Sequence, residues 1–429
     1  MPDDGHLQDG RLHDGRPQDD GAAAAAPGLL AQPDFRRAWL AGALAQTMRW
    51  LEVLVVGLFV LQLTGSAGMV AFVLFLRMLP SFLFGTLIGI VAERVSRRTM
   101  LATGLGCLSV VSATLGLLVV TGQIAMWHVA LGVFLNGTFW SMDHPVRRTL
   151  MGEIAGPNAV ARAMGLDSST MNATRALGPA LGGTLLAAIG MEGAYFLGAL
   201  LFAAAAWQIL SIERPVRPLG GGGNVLADIR EGLRFIRGNR VVTGTLFVTV
   251  AMNFWGLVYM GLVPVIARQE LGLGPFPTGL LMAMEGTGAL CAALLIAWRV
   301  QSPWYTRLYF FGSCLCIASA LAFSQAGTVG LSYAILLVAG VGFACFGAMQ
   351  STIVLSSTPP ALRPRVMGVL AVCIGGGNPL GILHVGLLAD WFGAPAAVSI
   401  VCVEGLLVMT LIAWRWPELL RPFRPWSGQ

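Results

Sequence analysis

The chain has 429 residues, of which 56% are hydrophobic and 11% are charged. This composition is too apolar for one or two soluble domains. The net charge of +6 is carried by arginine alone, because the chain contains no lysine. Nucleotide hydrolysis at a P-loop and Schiff-base chemistry with pyridoxal phosphate both need a lysine, so these two mechanisms are excluded.

The first 34 residues are polar and repetitive. Asp-Gly pairs recur between Asp4 and Gly15, and a run of alanines follows. Because no basic start and no apolar core precede a cleavage site, the segment is not typical of a signal peptide. We expect a disordered cytoplasmic tail over residues 1–34.

Apolar stretches long enough to cross a bilayer recur along the rest of the chain. They are predicted to be helices, since an open sheet edge is not stable in lipid. The twelve predicted spans are 38–63, 68–92, 99–121, 125–143, 164–188, 194–212, 241–265, 277–298, 308–325, 329–356, 366–388 and 394–414.

The longest interior break in the apolar pattern is 213–240, which contains the run Gly220–Gly223. From Val225 to Arg237, apolar and charged residues alternate with a helical period. We therefore predict a cytoplasmic linker with an amphipathic helix along the inner membrane surface. It would join two six-helix halves, 35–212 and 241–416, with a cytoplasmic tail over 417–429.

The two halves are related in sequence. The segment Arg162–Leu166 (RAMGL) reappears as Arg365–Val369 (RVMGV), and Gly183–Gly190 is echoed by Gly386–Gly393 at the same offset. Two matches at one offset indicate an internal repeat. An even number of helices per half makes the repeats parallel, so the predicted fold is an all-α membrane protein with two pseudo-symmetric halves.

The arginines give the orientation. With the N-terminus inside, every arginine outside the spans except Arg268 falls on the cytoplasmic side. The positive-inside rule therefore places both termini and the linker in the cytoplasm.

The loop between the second and third spans carries a recognisable pattern. It resembles the G-x-L-A-D-R-x-G-R-R signature of the major facilitator superfamily, with glutamate replacing aspartate at position 93 and serine replacing glycine at position 96. In that family the loop latches the halves together on the inner side, which implies the same role here. The matching residues are Gly89, Glu93, Arg94, Arg97 and Arg98.

The fifth span adds a second resemblance. Its residues Gly178, Pro179, Gly182 and Gly183 are similar to the G-P-x-x-G-G element of antiporters, although ordinary small-residue packing would explain them as well. The stretch that begins at Asp143 resembles the exporter branch that includes the enterobactin exporter, and Asp143 joins the expected inner gate. The resemblance implies the major facilitator fold.

Ionisable residues inside the spans are costly and are usually functional. In the first span, Gln46, Arg49 and Glu52 are three residues apart and share one face of the helix. Counting about 1.5 Å per residue places Glu52 and Arg77 of the second span at similar depths, roughly 21–22 Å from the cytoplasmic end. We therefore predict that Glu52 and Arg77 interact.

In relatives, the fifth and eighth spans line a central cavity, which implies that Arg175 and Glu285 face it. Glu52 and Glu285 are the candidates for proton coupling, because a buried carboxyl group can carry a proton. The candidates for substrate contact are Gln46, Arg49, Arg77 and Arg175. Alternatively, these charges form structural ion pairs that never change protonation.

No metal site is predicted, because His128, His144 and His384 lie on three separate spans and no HExxH motif occurs. The seven cysteines form no CxxC pair, so no disulfide framework is indicated. No cofactor is expected beyond a proton gradient, and no nucleic-acid partner.

The predicted function is export of a small amphipathic molecule, such as a siderophore, a secondary metabolite or a drug, by proton antiport with alternating access. The protein would act as a monomer in the bacterial cytoplasmic membrane, and it would not be an enzyme. Two alternatives remain open: a proton-coupled nutrient importer, and a non-transporting scaffold or receptor.

The arginine asymmetry yields a first testable prediction. In a cysteine-free variant, cysteines introduced next to Arg268 should react with an impermeant maleimide added outside the cell. Cysteines next to Arg97 or Arg234 should react only after the membrane is permeabilised. Strong external labelling beside Arg97 or Arg234 would invert the topology.

Overall fold

A computed structural model describes residues 29–156, 159–213 and 225–423. The side chains of residues 82, 85–94, 161, 225–229, 297, 361 and 364 lie outside the described part. Residues 1–28 of the N-terminal tail predicted over 1–34, and the glycine run of the linker, also lie outside it. The described residues are helical throughout apart from short connections, with no strand among them.

Thirteen α-helices follow one another in these segments. They are α1 Pro33–Thr64, α2 Ala67–Arg94, α3 Arg97–Val120, α4 Met126–Ala155, α5 Val160–Leu210, α6 Val225–Gly238, α7 Arg240–Ala251, α8 Val263–Gln269, α9 Pro275–Arg299, α10 Tyr305–Ser324, α11 Val329–Ser356, α12 Arg363–Phe392 and α13 Ala394–Arg415. Short 3₁₀ turns occur at Leu29–Ala31, Val258–Gly261, Ser302–Trp304, Pro360–Leu362 and Pro417–Leu420.

The thirteen helices make twelve crossings, because α5 contributes two, α7 and α8 together contribute one, and the linker helix α6 contributes none. Helix α5 breaks at Gly190, whose φ of 70° and ψ of −173° are accessible mainly to glycine. The chain reverses direction there and forms a second crossing, since Gly178 before the break and Gly198 after it both lie against the middle of α1. Helices α7 and α8 form a single crossing that is interrupted by a π-turn at Met252–Gly256. By length and hydropathy, nine helices of the described residues qualify as membrane spans, with α5 counted once. The predicted all-α membrane fold is confirmed.

Local signals in the sequence set several helix ends. Gly65 adopts a left-handed conformation and ends α1, with its N–H donating to the Leu61 carbonyl at 2.8 Å. Ser96 caps α3 by accepting a hydrogen bond from the Thr99 N–H at 3.2 Å. Short connections of this kind force successive helices to run antiparallel across the membrane.

The buried cores show how the two halves meet. We call the side where α1 begins and α13 ends the terminal face, and the opposite side the loop face. On the loop face, one apolar cluster joins residues of both halves, from Leu54 and Val70 to Val263 and Val385. Toward the terminal face, the first half has its own cluster around Leu101 and the second half has another around Val366. The halves are therefore closed together at the loop face.

Small residues allow the helices of the two halves to touch. A Cβ atom at Gly183 of α5 would collide with the backbone of Pro275 in α9, and one at Gly279 of α9 would collide with the Pro179 carbonyl. At a second contact between the halves, the Asp390 carboxylate of α12 accepts hydrogen bonds from the Ser66 hydroxyl at 2.7 Å and from the Gly68 N–H at 2.9 Å. A carboxylate of one half thus caps the first turn of α2 in the other half.

The linker helix α6 packs against the second half. Ile236 lies in a cluster with Val242 and Val366, and Glu231 forms an ion pair with Arg365 of α12. The predicted helix is present, and its described part packs against the first turn of α12. The proposed domain boundaries stay a prediction.

The α5–α9 contact yields a second prediction. Leucine at Gly183 or Gly279 should force the halves apart at the loop face, since overpacking costs about 1–3 kcal/mol and this would shift the equilibrium roughly 5- to 150-fold. A cysteine at Met282, which lines the central cavity, should then react faster with an impermeant maleimide from the loop face.

The matched control is Gly165→Leu on the same helix, because nothing lies within 4 Å of a Cβ atom there. Equal labelling rates in all three variants would show that the glycines do not hold the loop face closed.

Candidate functional site

A cavity of about 260 Å³ lies between the two halves, at mid-membrane depth. It is bounded by α1, α2 and α5 on one side and by the broken seventh crossing, α9, α11 and α12 on the other. Its lining combines arginine with apolar and aromatic side chains: Arg49, Trp50, Val53, Leu74, Arg77, Met78, Arg175, Leu257, Val258, Met260, Gly261, Met282, Phe343, Asn378 and Ile382.

Glu52 and Arg77 meet within the first half, where the sequence predicted them to interact. The Arg77 Nη1 atom lies 3.8 Å from the Glu52 Oε2 atom, and both side chains are more than nine-tenths buried. Asn136 of α4 donates a hydrogen bond to the same carboxylate oxygen at 2.6 Å. Sequence reasoning missed Asn136, although an amide in an otherwise apolar span was a usable signal.

Gln46 and Arg49 occupy the same face of α1 as Glu52. Both side-chain amide atoms of Gln46 are buried and have no hydrogen-bond partner within the described part. The Arg49 guanidinium lies over the Trp140 ring, 3.1 Å from its centroid, and 5.8 Å from that of Trp50. A cation over an aromatic face is attracted to the ring quadrupole, so Arg49 is held at the cavity wall by stacking.

Arg175 and Glu285 form the ion pair that connects the two halves. The Arg175 Nη2 atom of α5 donates to the Glu285 Oε1 atom of α9 at 2.6 Å. The guanidinium also lies 3.5 Å from the centroid of the Phe343 ring. Unlike the Glu52–Arg77 pair, this contact must change when the two halves move relative to each other.

The antiporter-like residues lie along the surface that α5 presents to its neighbours. A Cβ atom at Gly178 would meet Trp50 of α1, and one at Gly182 would meet Leu51. Gly183 faces α9, as described above, and Pro179 presents its carbonyl to Gly279. The element therefore brings α5 close to α1 and α9 at once, next to the cavity.

The residues expected to form the inner gate are only partly described. The side chains of Gly89, Glu93 and Arg94 lie outside the described residues. Arg97 is buried and pairs with Glu153 of α4, and Arg98 donates to the Leu210 carbonyl. These contacts stay inside the first half, so a latch between halves stays a prediction.

Asp143 belongs to a buried charge cluster at the α4–α5 junction. Its Oδ2 atom lies 3.3 Å from the Arg147 Nε atom, and Arg147 also donates to Asp167 at 2.5 Å. Arg148 approaches the other oxygen of Asp167 at 3.2 Å. Sequence reasoning missed Asp167, although an aspartate inside the predicted span 164–188 was a usable signal.

A further polar cluster joins α12 and α13. The Glu404 carboxylate lies 2.9 Å from the His384 Nε2 atom and accepts a hydrogen bond from the Trp255 indole at 3.0 Å. These residues do not line the central cavity. Within the described residues, no group of three or more potential metal ligands occurs.

Comparisons with known proteins decide the family. The profile of the MFS family of transmembrane secretion effectors matches residues 22–420. The chain belongs to this family of transporters. It is 28% identical over 388 residues to the multidrug efflux pump Tap of Mycobacterium tuberculosis, covering 84% of this chain and 89% of the relative.

It is also 19% identical over 360 residues to the staphyloferrin A transporter of Staphylococcus aureus, covering 84% of this chain and 90% of the relative. Among solved structures, a bacterial homologue of the human lysosomal transporter Spinster superposes with a TM-score of 0.70 at 13% identity, covering 92% of this chain and 98% of the other. This match supports the fold, and the protein is a multi-pass membrane protein of a transporter family.

The Glu52–Arg77 pair yields a third prediction. Glu52→Gln or Arg77→Gln leaves one buried charge without its partner, which should lower the free energy of unfolding by about 3–5 kcal/mol if the site is dry. The double variant should lose less than the sum of the two single variants. Thermal unfolding in detergent measures the stability of the wild type, the two single variants and the double variant.

A control cycle combines Arg77→Gln with Glu404→Gln, which lies in a separate cluster and should be additive. Additive losses in the Glu52–Arg77 cycle would show that the two residues do not stabilise each other.

Proposed function

We propose that this transporter exports a small amphipathic molecule from the cytoplasm by proton antiport, through alternating access of the central cavity. The observation that carries the proposal is the Arg175–Glu285 ion pair, which joins the two halves beside the cavity. The similarity to a multidrug efflux pump supports the direction, and the similarity to this pump and to a staphyloferrin A transporter supports a small-molecule solute. The host membrane would be the bacterial cytoplasmic membrane.

The arginine distribution supports a cytoplasmic terminal face. In that orientation the loop face is external and closed by the α5–α9 contact and by Asp390 on the first turn of α2. Toward the cytoplasm, the apolar cluster around Leu101 in the first half and the one around Val366 in the second are separate, whereas a single cluster joins the halves at the loop face. The conformation suits loading of the cavity from the cytoplasm.

Proton coupling requires a group whose proton affinity differs between the two conformations. Glu285 meets this requirement, because its partner Arg175 belongs to the other half. With the pair formed, the guanidinium favours the ionised carboxylate. Once α5 and α9 separate to open the external side, Glu285 loses that partner and binds a proton more tightly. Protons would therefore be taken up outside and released inside.

Glu52 is less suited to this role, although the sequence made it the first candidate. Its partners Arg77 and Asn136 both belong to the first half. A rocking motion of rigid halves leaves these distances unchanged, so the proton affinity of Glu52 would change little. We propose Glu285 as the proton carrier and Glu52 as part of the cavity framework.

The fourth prediction tests this assignment in reconstituted vesicles. The solutes are dansylglycine, dansylamide and dansylcadaverine, which share a fluorophore and differ in charge. Wild-type protein should accumulate at least one of them when a pH gradient is imposed. Glu285→Gln should abolish gradient-driven accumulation, because its amide carries no proton, while exchange without a gradient continues.

Glu52→Gln should keep its response to the gradient, and so should the control Glu404→Gln, which lies outside the cavity. Accumulation by the wild type that ignores the gradient would refute proton antiport. If Glu285→Gln still follows the gradient and Glu52→Gln does not, the proton carrier is Glu52.

A further inference from the structure

The cavity is lined by three arginines, Arg49, Arg77 and Arg175, and no carboxylate is among its lining residues within the described part. Two of these arginines have partners, since Glu52 lies beside Arg77 and Glu285 beside Arg175. The cavity region therefore holds three guanidinium groups against two carboxylates. An excess positive charge remains even when both glutamates are ionised.

The excess charge is located at Arg49. Among the described side chains, Arg49 has no acidic group within the 4.0 Å of an ion pair, and its closest neighbours are the rings of Trp140 and Trp50. The carboxylates on α1 and α4, the two helices that carry Arg49 and Trp140, are engaged elsewhere. Glu52 is held by Arg77 and Asn136, and Asp143 pairs with Arg147.

The neighbouring arginine also retains bonding capacity. Arg77 is 3% exposed, and its Nη2 atom has no hydrogen-bond partner among the residues that the structure describes. A buried guanidinium N–H without an acceptor is costly and can be satisfied by a ligand oxygen. Arg49 and Arg77 line the same cavity, so one acidic group could bind between them. Arginine presents paired N–H donors that match the two oxygens of a carboxylate or sulfonate.

From these contacts, and resting on the proposed function, we propose that the transported solute is an amphipathic acid whose anionic group binds Arg49 and Arg77. The apolar part of the solute packs against Trp50, Phe343 and the methionines of the second half. Methionine side chains adapt to varied shapes, so the cavity selects the charge of the solute more strictly than its shape.

The experiment measures equilibrium binding with dansylglycine, an anion, and dansylcadaverine, a cation of the same fluorophore. Energy transfer from tryptophan to dansyl reports binding to the purified protein in detergent, because Trp50 and Trp140 flank the site. Wild-type protein should bind dansylglycine saturably and at least tenfold more tightly than dansylcadaverine. Dansylamide, which is neutral, should bind more weakly than dansylglycine.

Arg49→Gln should weaken dansylglycine binding by about 10- to 100-fold, the effect of losing a charge-assisted hydrogen bond. Arg49→Lys keeps the charge without the planar fork and should recover part of the affinity. The matched control is Arg299→Gln, because Arg299 also stacks on a tryptophan, 4.3 Å from the Trp298 ring centroid, but lies at the end of α9. It should bind dansylglycine like the wild type.

Equal or tighter binding of dansylcadaverine by the wild type would overturn the proposal without any variant. Unchanged dansylglycine affinity in a folded Arg49→Gln protein would also overturn it. These outcomes are separate from the failure of proton antiport. If the protein accumulates dansylcadaverine under a pH gradient, export by proton antiport is supported and the proposal of an acidic substrate is refuted.

Discussion

The cost of placing a charge in hydrocarbon governs this structure. An isolated ionised side chain in a low-dielectric interior is expensive, so charges at bilayer depth persist only with partners. Glu52, Glu285 and Glu404 each lie beside a basic side chain, on three different pairs of helices. Arg49 instead rests on an aromatic ring. The helices must pack so that these partners meet, which makes the charges constraints on the fold as well as candidates for function.

The position of each pair relative to the two halves separates structural from mechanistic roles. The Glu52–Arg77 pair and the Asp143–Arg147 pair lie inside the first half and move with it as a unit. The Arg175–Glu285 pair and the Asp390 cap on α2 join opposite halves. Contacts between the halves differ in energy between conformations, whereas contacts inside one rigid half do not. A change at one of them can therefore shift the population of open and closed states.

Close packing of backbone complements these polar contacts. Gly183 and Gly279 let α5 and α9 approach until side chains could not fit between them. Without a hydrophobic driving force between helices in lipid, such contacts gain their stability from van der Waals packing. The same α5–α9 contact brings Arg175 within hydrogen-bond distance of Glu285. The glycine-rich element thus has a direct physical link to the proposed coupling pair.

The sequence by itself determined the class of protein, the spans and the depth of the charges, because hydropathy and a rise of 1.5 Å per residue depend only on local order. It therefore predicted that Glu52 and Arg77 would meet. Only the tertiary structure decided that Arg175 pairs with Glu285 and that Asn136 and Asp167 complete buried clusters. It also decided that Arg49 lies over the Trp140 ring, with no acidic partner among the described side chains. These facts depend on how helices rotate and pack against each other, and partners that lie between 20 and 110 positions apart along the chain carry no local signal of their contact.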